Sequence, residues 1–349
     1  MFQHRQKILL IRFSSFGDVT QALSLPTRLA ELSLGEGENS GEIHWVTRQE
    51  FTPLLSGHPY LAKIWSLDRS TGFLGLLQLI RQLQKERFTH IYDAHNNLRS
   101  HLISWFLRPP LALTRIFDPP LILRKSQRRW KRFLLFRLRI NRFRMPFSGQ
   151  RDLLEPLKAW GLSEELPPAP QLLVPDLAIE KVKTLLQFLI GHEDFVTVAP
   201  SAAHLLKRWP VDHYKQLFAI SNKYKFICLG GDEDQFIDEL VKVDPARVFN
   251  LAGKLSMLES AAAVFLSRGL ITNDTGLLHV AEQIGKRTIA LMGPAPFGFP
   301  SRESTRILQL ELACRPCSKH GQGPCVNEKF QRCLVDITPL QVLQELEKW

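Results

Sequence analysis

The chain has 349 residues, 44% of them hydrophobic and 23% charged, and carries a formal net charge of +11. It is too long for one ordinary hydrophobic core and suits two domains of typical size. The composition is that of a soluble globular protein. There is no low-complexity tract, no internal repeat and no apolar run near the ~20 residues of a spanning helix, which excludes fibrous, repeat and transmembrane classes.

The positive charge is unevenly placed. Residues 1–170 hold 25 Lys and Arg against 14 Asp and Glu, whereas residues 171–349 hold 20 of each. The excess therefore lies wholly in the first half, which is expected to meet something anionic: nucleic acid, a membrane surface or a phosphorylated substrate. The N-terminus enters a strand within a few residues and shows no signal-peptide pattern, so the cytoplasm is the expected compartment.

In chain order, apolar strand-like runs fall at 7–13, 42–47, 62–67, 88–93 and 111–117, with helical patterns near 18–33, 72–86 and 97–107. A Pro-rich stretch over 162–176 breaks the rhythm, because proline holds itself and its predecessor extended. It places an inter-domain linker at 166–176, between a first domain at 1–165 and a second at 177–349. Strands then read at 195–199, 225–229, 247–251, 269–272 and 288–292, with helices near 211–222, 232–243, 256–267 and 275–285. This alternation predicts an α/β protein of two Rossmann-like, doubly wound parallel-sheet domains. Ligands of such folds sit at the carboxyl ends of the strands. A last helical stretch, 338–349, is expected to pack back on the first domain.

Three stretches carry chemistry. In "IRFSSFGDVTQALSLPT", Asp18 follows a Ser-Ser-x-Gly turn and opens a helix; it can cap that helix, hold a ribose or take a proton from a substrate. In "VAPSAAHLLKRWPVDHY", Ser201 follows a strand, and Lys207 and Arg208 precede a helix that starts at a proline. Two cations beside a helix N-terminus make a diphosphate clamp, unless they are an ordinary solvated pair. In "GLITNDTGLLHVAEQIGKRTIALMG", a buried strand gives way to Asp274, Thr275 and Gly276, with His279 one turn later. Asp274 can cap the helix, and Gly276 lets a bulky anion approach the backbone. The bland reading is a capped helix with a histidine on its face. No G-x-G-x-x-G or P-loop sequence is present, so the anion site is of neither the dinucleotide nor the Walker kind.

Two further features stand apart. Residues 121–147 hold ten Arg or Lys and no acid, among them Arg128, Arg129, Lys131 and Arg132, with Phe133, Phe136, Ile140 and Phe143 at three- and four-residue steps. Read as one amphipathic helix, this stretch either meets an anionic membrane surface and a phosphorylated acceptor, or packs its stripe on the first domain with the arginines outward. No aromatic stacking platform or nucleic-acid motif accompanies the charge, so no nucleic-acid partner is expected. Cys314, Cys317, Cys325 and Cys333 lie within twenty residues. Such a loop in a cytosolic chain more often binds metal, zinc first, than forms disulfides; reduced thiols without metal are the alternative, and an iron–sulfur cluster a poorer one. Cys228, in an apolar run, is a core thiol.

Taken together, "SSFGDVTQALSLP", "KRWP", "LAGKLSMLESAAAV" and "NDTGLLHVAEQIGKRTIALMGP" occur in the order and spacing of the family 9 glycosyltransferases, and the chain resembles the lipopolysaccharide heptosyltransferases among them. The resemblance is strong over 195–295, good over 7–27 and thin over 110–175. It implies a GT-B fold with a cleft between the domains, and inverting, metal-independent transfer of a heptose from an ADP-heptose-like donor to the lipid A inner core at the inner face of the membrane. Asp18 matches the proposed base, with Ser15 and Gly17 beside the acceptor. Ser201, Lys207, Arg208, Asp274, Thr275, Gly276 and His279 match the donor phosphate and sugar site. Gly231, Glu233 and Asp234 match the ribose turn, and Leu255, within the Gly253–Leu258 segment, flanks the base. A sugar-nucleotide epimerase or hydrolase of the same architecture, or a non-catalytic sugar-nucleotide or lipid binder, are the rival functions.

Overall fold

The computed structural model describes residues 6–33, 41–108, 118–191 and 193–349. The strand expected at 111–117 lies outside them. The chain divides into two compact units, residues 1–128 with 150–173 and residues 129–149 with 174–349.

The first unit is built on a five-stranded parallel sheet. Its strands are β1 (Lys7–Ile11), β2 (Glu42–Arg48), β3 (Lys63–Leu67), β4 (His90–Asp93) and β5 (Leu121–Arg124), in the spatial order β3-β2-β1-β4-β5. Ile8 pairs with Ile43, Leu10 with Trp45 and Leu9 with Ile91. Residues Ile8 to Ile11 are fully buried, as expected of a parallel strand covered on both faces, which reads as a continuous apolar run. Leu9, Ile11, Val46 and Ile91 of the sheet pack against Leu76, Ile80 and Leu83 of the helix Gly72–Gln84. The strand order reverses between β1 and β4, and Asp18 follows β1 directly.

The second unit holds six parallel strands: β6 (Phe195–Ala199), β7 (Lys225–Cys228), β8 (Val248–Asn250), β9 (Leu270–Asn273), β10 (Thr288–Leu291) and β11 (Thr305–Leu308). Their order is β11-β10-β9-β6-β7-β8, so the reversal lies between β6 and β9. One face is covered by Trp209, Tyr214, Phe218, Val342 and Leu346, the other by Val182, Leu186, Ala262 and Ala281. Cys228 is fully buried in this core, and burial pushes its thiol up to about 12.

Five features differ from the sequence reading, the first being that the second sheet has a sixth strand, β11, which the apolar runs did not show. The stretch 121–147 is not one helix: Leu121–Arg124 pairs with β4, helix runs only over Arg129–Arg137, and Arg139 adopts a left-handed backbone (φ 57°). Segment 129–149, read as part of the first domain, packs within the second unit, because Phe136, Phe143 and Phe147 all close on Phe297 at ring separations of 5.0–6.1 Å. The last helix, Pro339–Leu346, also belongs to the second unit; it buries Val342 and Leu346 in the core that holds Trp209. A helix over Asp176–Ile190, hidden by the prolines before it, covers one face of the second sheet with Val182, Leu186 and Ile190. Among the described residues, no helix is long and apolar enough to cross a membrane.

Candidate active site

In doubly wound sheets ligands bind outside the carboxyl ends of the strands, at the point where strand order reverses. Each unit has functional candidates at that point.

In the first unit, Asp18 is the third residue of the helix Phe16–Ala22. Its Oδ2 accepts from the backbone N–H (3.1 Å) and hydroxyl (3.0 Å) of Ser15, and its Oδ1 lies 2.7 Å from Arg12 Nη2. Arg12 is buried at the end of β1, where its Nη1 also donates to Ala94 O at 2.6 Å. Burial opposes the Asp18 anion, but Arg12, the Ser15 amide and Lys125 outweigh it and hold the carboxyl at about 2. The reading of Asp18 as a helix cap thus holds in the structure, and the carboxylate keeps a half-exposed face. Gly17 lies in the first turn of this helix.

Three residues of this group were missed from the sequence. Arg12 was legible as a charge interrupting an apolar strand. Lys125, at the end of β5, lies 3.1 Å from the buried Asp152, and its ammonium is disfavoured by burial. His95 follows β4, and burial together with Arg12 brings its imidazole down to about 4, so it is neutral at physiological pH. Arg128 is taken up by the unit's own acids, with Nε 2.7 Å from Asp152 and Nη2 on Glu155.

In the second unit, the loop after β6 and the loop after β9 meet. Lys207 Nζ lies 2.8 Å from Asp274 Oδ2, with both side chains mostly buried. Asp274 was expected as a possible helix cap; its carboxylate goes to Lys207 instead. The cap position of the helix Gly276–Ile284 falls to Thr275, which makes no side-chain bond to the helix amides. Those first-turn N–H groups and the helix dipole form an anion-binding end. Asn273, unremarked from sequence, ties the two loops: its Oδ1 accepts from Trp209 N (3.0 Å), and its Nδ2 donates to Pro200 O (2.8 Å).

Arg208 Nε donates to Ala202 O, and its Nη2 lies 3.7 Å from Asp234. Asp234 is buried, takes the Ser201 hydroxyl and accepts from Gly231 N at 2.9 Å, so it braces the turn after β7. The neighbouring Glu233 is exposed. Gly253 N donates to Gly230 O (3.1 Å), which brings the turn carrying Leu255 beside the Gly230–Glu233 turn. His279 is buried with Nδ1 3.1 Å from Glu282; Glu282 in turn accepts from the amides of Ser301 and Arg302, so this histidine serves the helix's own packing.

Cys314, Cys317, Cys325 and Cys333 line one small cavity of about 10 Å³ together with Leu206 and Arg315. Burial pushes the Cys333 thiol up to about 11 and raises that of Cys317. As the side chains lie, no group of three or more His, Cys, Asp or Glu among the described residues stands in a metal-holding arrangement. In the basic segment, Arg129 and Trp130 are exposed, Lys131 is half-buried and Arg132 rests over the Phe297 ring at 4.6 Å.

Two doubly wound parallel-sheet units, with a cation and an open helix N-terminus at the reversal point of the second, are the architecture of the GT-B fold. Residues 76–329 match the family described as "Glycosyltransferase family 9 (heptosyltransferase)", and the chain belongs to that family. It is 27% identical to the lipooligosaccharide heptosyltransferase 2 of Haemophilus ducreyi, over 98% of this chain and 99% of that one. Among solved structures it resembles a family 9 glycosyltransferase from Veillonella parvula (TM-score 0.77, 17% identity, 100% of this chain and 98% of that one). It also resembles the Escherichia coli ADP-heptose lps heptosyltransferase II (TM-score 0.73, 21% identity, 98% of each chain).

Proposed function

We propose that this glycosyltransferase moves a heptose from ADP-heptose to the inner core of lipopolysaccharide, with inversion at the anomeric carbon. The observation that carries the donor side is the Lys207–Asp274 pair beside the uncapped N-terminus of the helix Gly276–Ile284. The nucleoside diphosphate leaves the sugar readily when the negative charge growing on its phosphate oxygens is met by fixed donors, and a lysine with oriented amides supplies them. The heptose and lipopolysaccharide specificity rests on the curated heptosyltransferase relatives.

In this mechanism the second unit holds the donor. Lys207, Arg208 and the amides of Thr275 and Gly276 bind the diphosphate, Glu233 reaches the ribose, and the segment around Leu255 flanks the base. Asp18 of the first unit accepts the proton of the acceptor hydroxyl. As the acceptor oxygen bonds to the anomeric carbon, the bond from that carbon to the phosphate oxygen breaks and ADP departs. A carboxylate held at about 2 is a weak base toward a free hydroxyl. It accepts the proton as the new C–O bond forms and the hydroxyl becomes acidic, which places proton transfer late.

The exposed Trp130, Phe133 and Ile140, interleaved with exposed arginines, would seat the protein on an anionic membrane surface, where the acceptor resides. For the cysteine loop we propose a structural role, with zinc as the ion its thiols would take after local rearrangement and no metal in the chemistry. Metal analysis of purified protein tests this: about one zinc per chain is expected, and less than about half removes the metal.

A donor screen tests the function. With deep-core lipopolysaccharide as acceptor, ADP release from ADP-heptose, dependent on acceptor, is expected. Release only of UDP or GDP from other donors overturns the donor assignment, and no release from any donor favours a binding protein.

A further inference from the structure

The loop of residues 314–333 does more than lie near Lys207: it holds the backbone on both sides of that lysine and touches its side chain. Gln331 is buried, and its Nε2 donates to Leu205 O (3.0 Å) and Arg208 O (2.7 Å), the residues that bracket the short turn carrying Lys207. Its own backbone N–H points to Cys325 Sγ at 3.2 Å, and its carbonyl accepts from Leu334 and Val335. Gln331 therefore couples the cysteine cavity to the cation loop through one side chain and one amide. Leu206, between Leu205 and Lys207, inserts into the same cavity as the four cysteines.

Gly321 makes the third contact. Its backbone is left-handed (φ +82°), and a Cβ added there would lie 2.6 Å from Lys207 Cγ and 2.9 Å from its Cδ. These are methylenes close to the lysine backbone, not the mobile tip, so they cannot swing aside cheaply. Ser318 fixes the turn by accepting from Gly321 N–H (3.0 Å) and donating to Gln322 O (2.9 Å).

We infer that the four-cysteine loop is the positioning element for Lys207, with Gln331 and Gly321 as the residues through which it acts. The inference rests on the assignment of Lys207 to the donor diphosphate. A displacement of a charged group by about 1 Å can lower a rate by about a hundredfold.

The test is a double-mutant cycle on the full-length protein, reading ADP affinity by calorimetry and acceptor-dependent ADP release. Gln331→Leu and Gly321→Ala are each expected to weaken ADP binding and turnover about tenfold or more in the native background. Neither should weaken them further once Lys207→Ala is present, whatever it does to thermal stability. A structural role unconnected to the lysine would lower activity equally in both backgrounds, and that result, or unchanged ADP affinity in both loop variants, overturns the inference. If Gly321→Ala does not fold, the Gln331 cycle decides alone. If Lys207→Ala leaves ADP binding and turnover intact, the donor assignment itself fails and the inference with it. A loss with Lys207→Ala but none with the loop variants removes only the inference.

Discussion

Lys207 Nζ and Asp274 Oδ2 form a mostly buried ion pair across the two loops where the strand order of the second sheet reverses. In the proposed donor site this pair would be the resting state: the cation assigned to the diphosphate is held by a carboxylate that incoming phosphates would have to displace.

Removing one member of a fully buried pair leaves the other unpaired at a cost of about 3–5 kcal/mol, and less here, where the lysine side chain keeps some exposure. Lys207→Ala is therefore expected to lower thermal stability, and adding Asp274→Ala should restore most of it without restoring transfer. Calorimetric unfolding of the two variants, beside turnover, checks this. Recovery of turnover in the double variant contradicts a direct role for the lysine.

Asp18 gives a pH signature. A carboxylate depressed to about 2 in the fold, against about 3.9 when unfolded, contributes stability that is fully present above pH ~4 and is lost as pH falls toward 2. The stability difference between the native chain and Asp18→Asn should thus be constant from pH 5 to 8 and narrow below pH ~4. His95 acts in the same direction, at higher pH. Its pKa is lowered to about 4 from about 6.5, so the unfolded chain takes up a proton first and stability falls between those values; His95→Asn should flatten that slope. Urea unfolding at a series of pH values reads both.

The exposed arginines of 129–145 predict binding to vesicles with anionic lipid at least about tenfold tighter than to neutral ones at low salt, since each surface cation contributes about 1 kcal/mol. The exposed Trp130 and Phe133, stacked at 5.5 Å, add apolar insertion. Trp130→Ala with Phe133→Ala should weaken sedimentation with anionic vesicles while leaving ADP affinity unchanged. Equal binding to neutral and anionic vesicles contradicts the membrane role.

Strands β1–β4 and β6–β10 and the loops carrying Asp18, Lys207 and Asp274 were legible in the sequence, because buried parallel strands read as apolar runs and chemistry gathers at their carboxyl ends; the partly exposed edge strands β5 and β11 were not. The partners of those residues were not. That Asp274 meets Lys207 in place of capping its helix depends on a contact 67 positions apart in the chain. The allegiance of 129–149 to the second unit depends on Phe297, far along the chain from the three phenylalanines that close on it. The helix Asp176–Ile190 was obscured by prolines that end where it begins, Pro175 being its cap residue. The bond from Gln331 to the cation loop leaves no local pattern at all, since a buried glutamine looks like any surface one until its carbonyl partners are known.

The central claim is that the charge of Asp18 serves the acceptor and the second unit serves the donor. It is tested most directly by measuring ADP affinity and acceptor-dependent turnover of ADP-heptose on one preparation of Asp18→Asn, which keeps the shape of the side chain but not its charge. ADP affinity is expected within about twofold of the native chain and turnover lower by about 10²–10⁴-fold, the range of a lost general base. Near-native turnover, or a parallel loss of ADP binding, would contradict it.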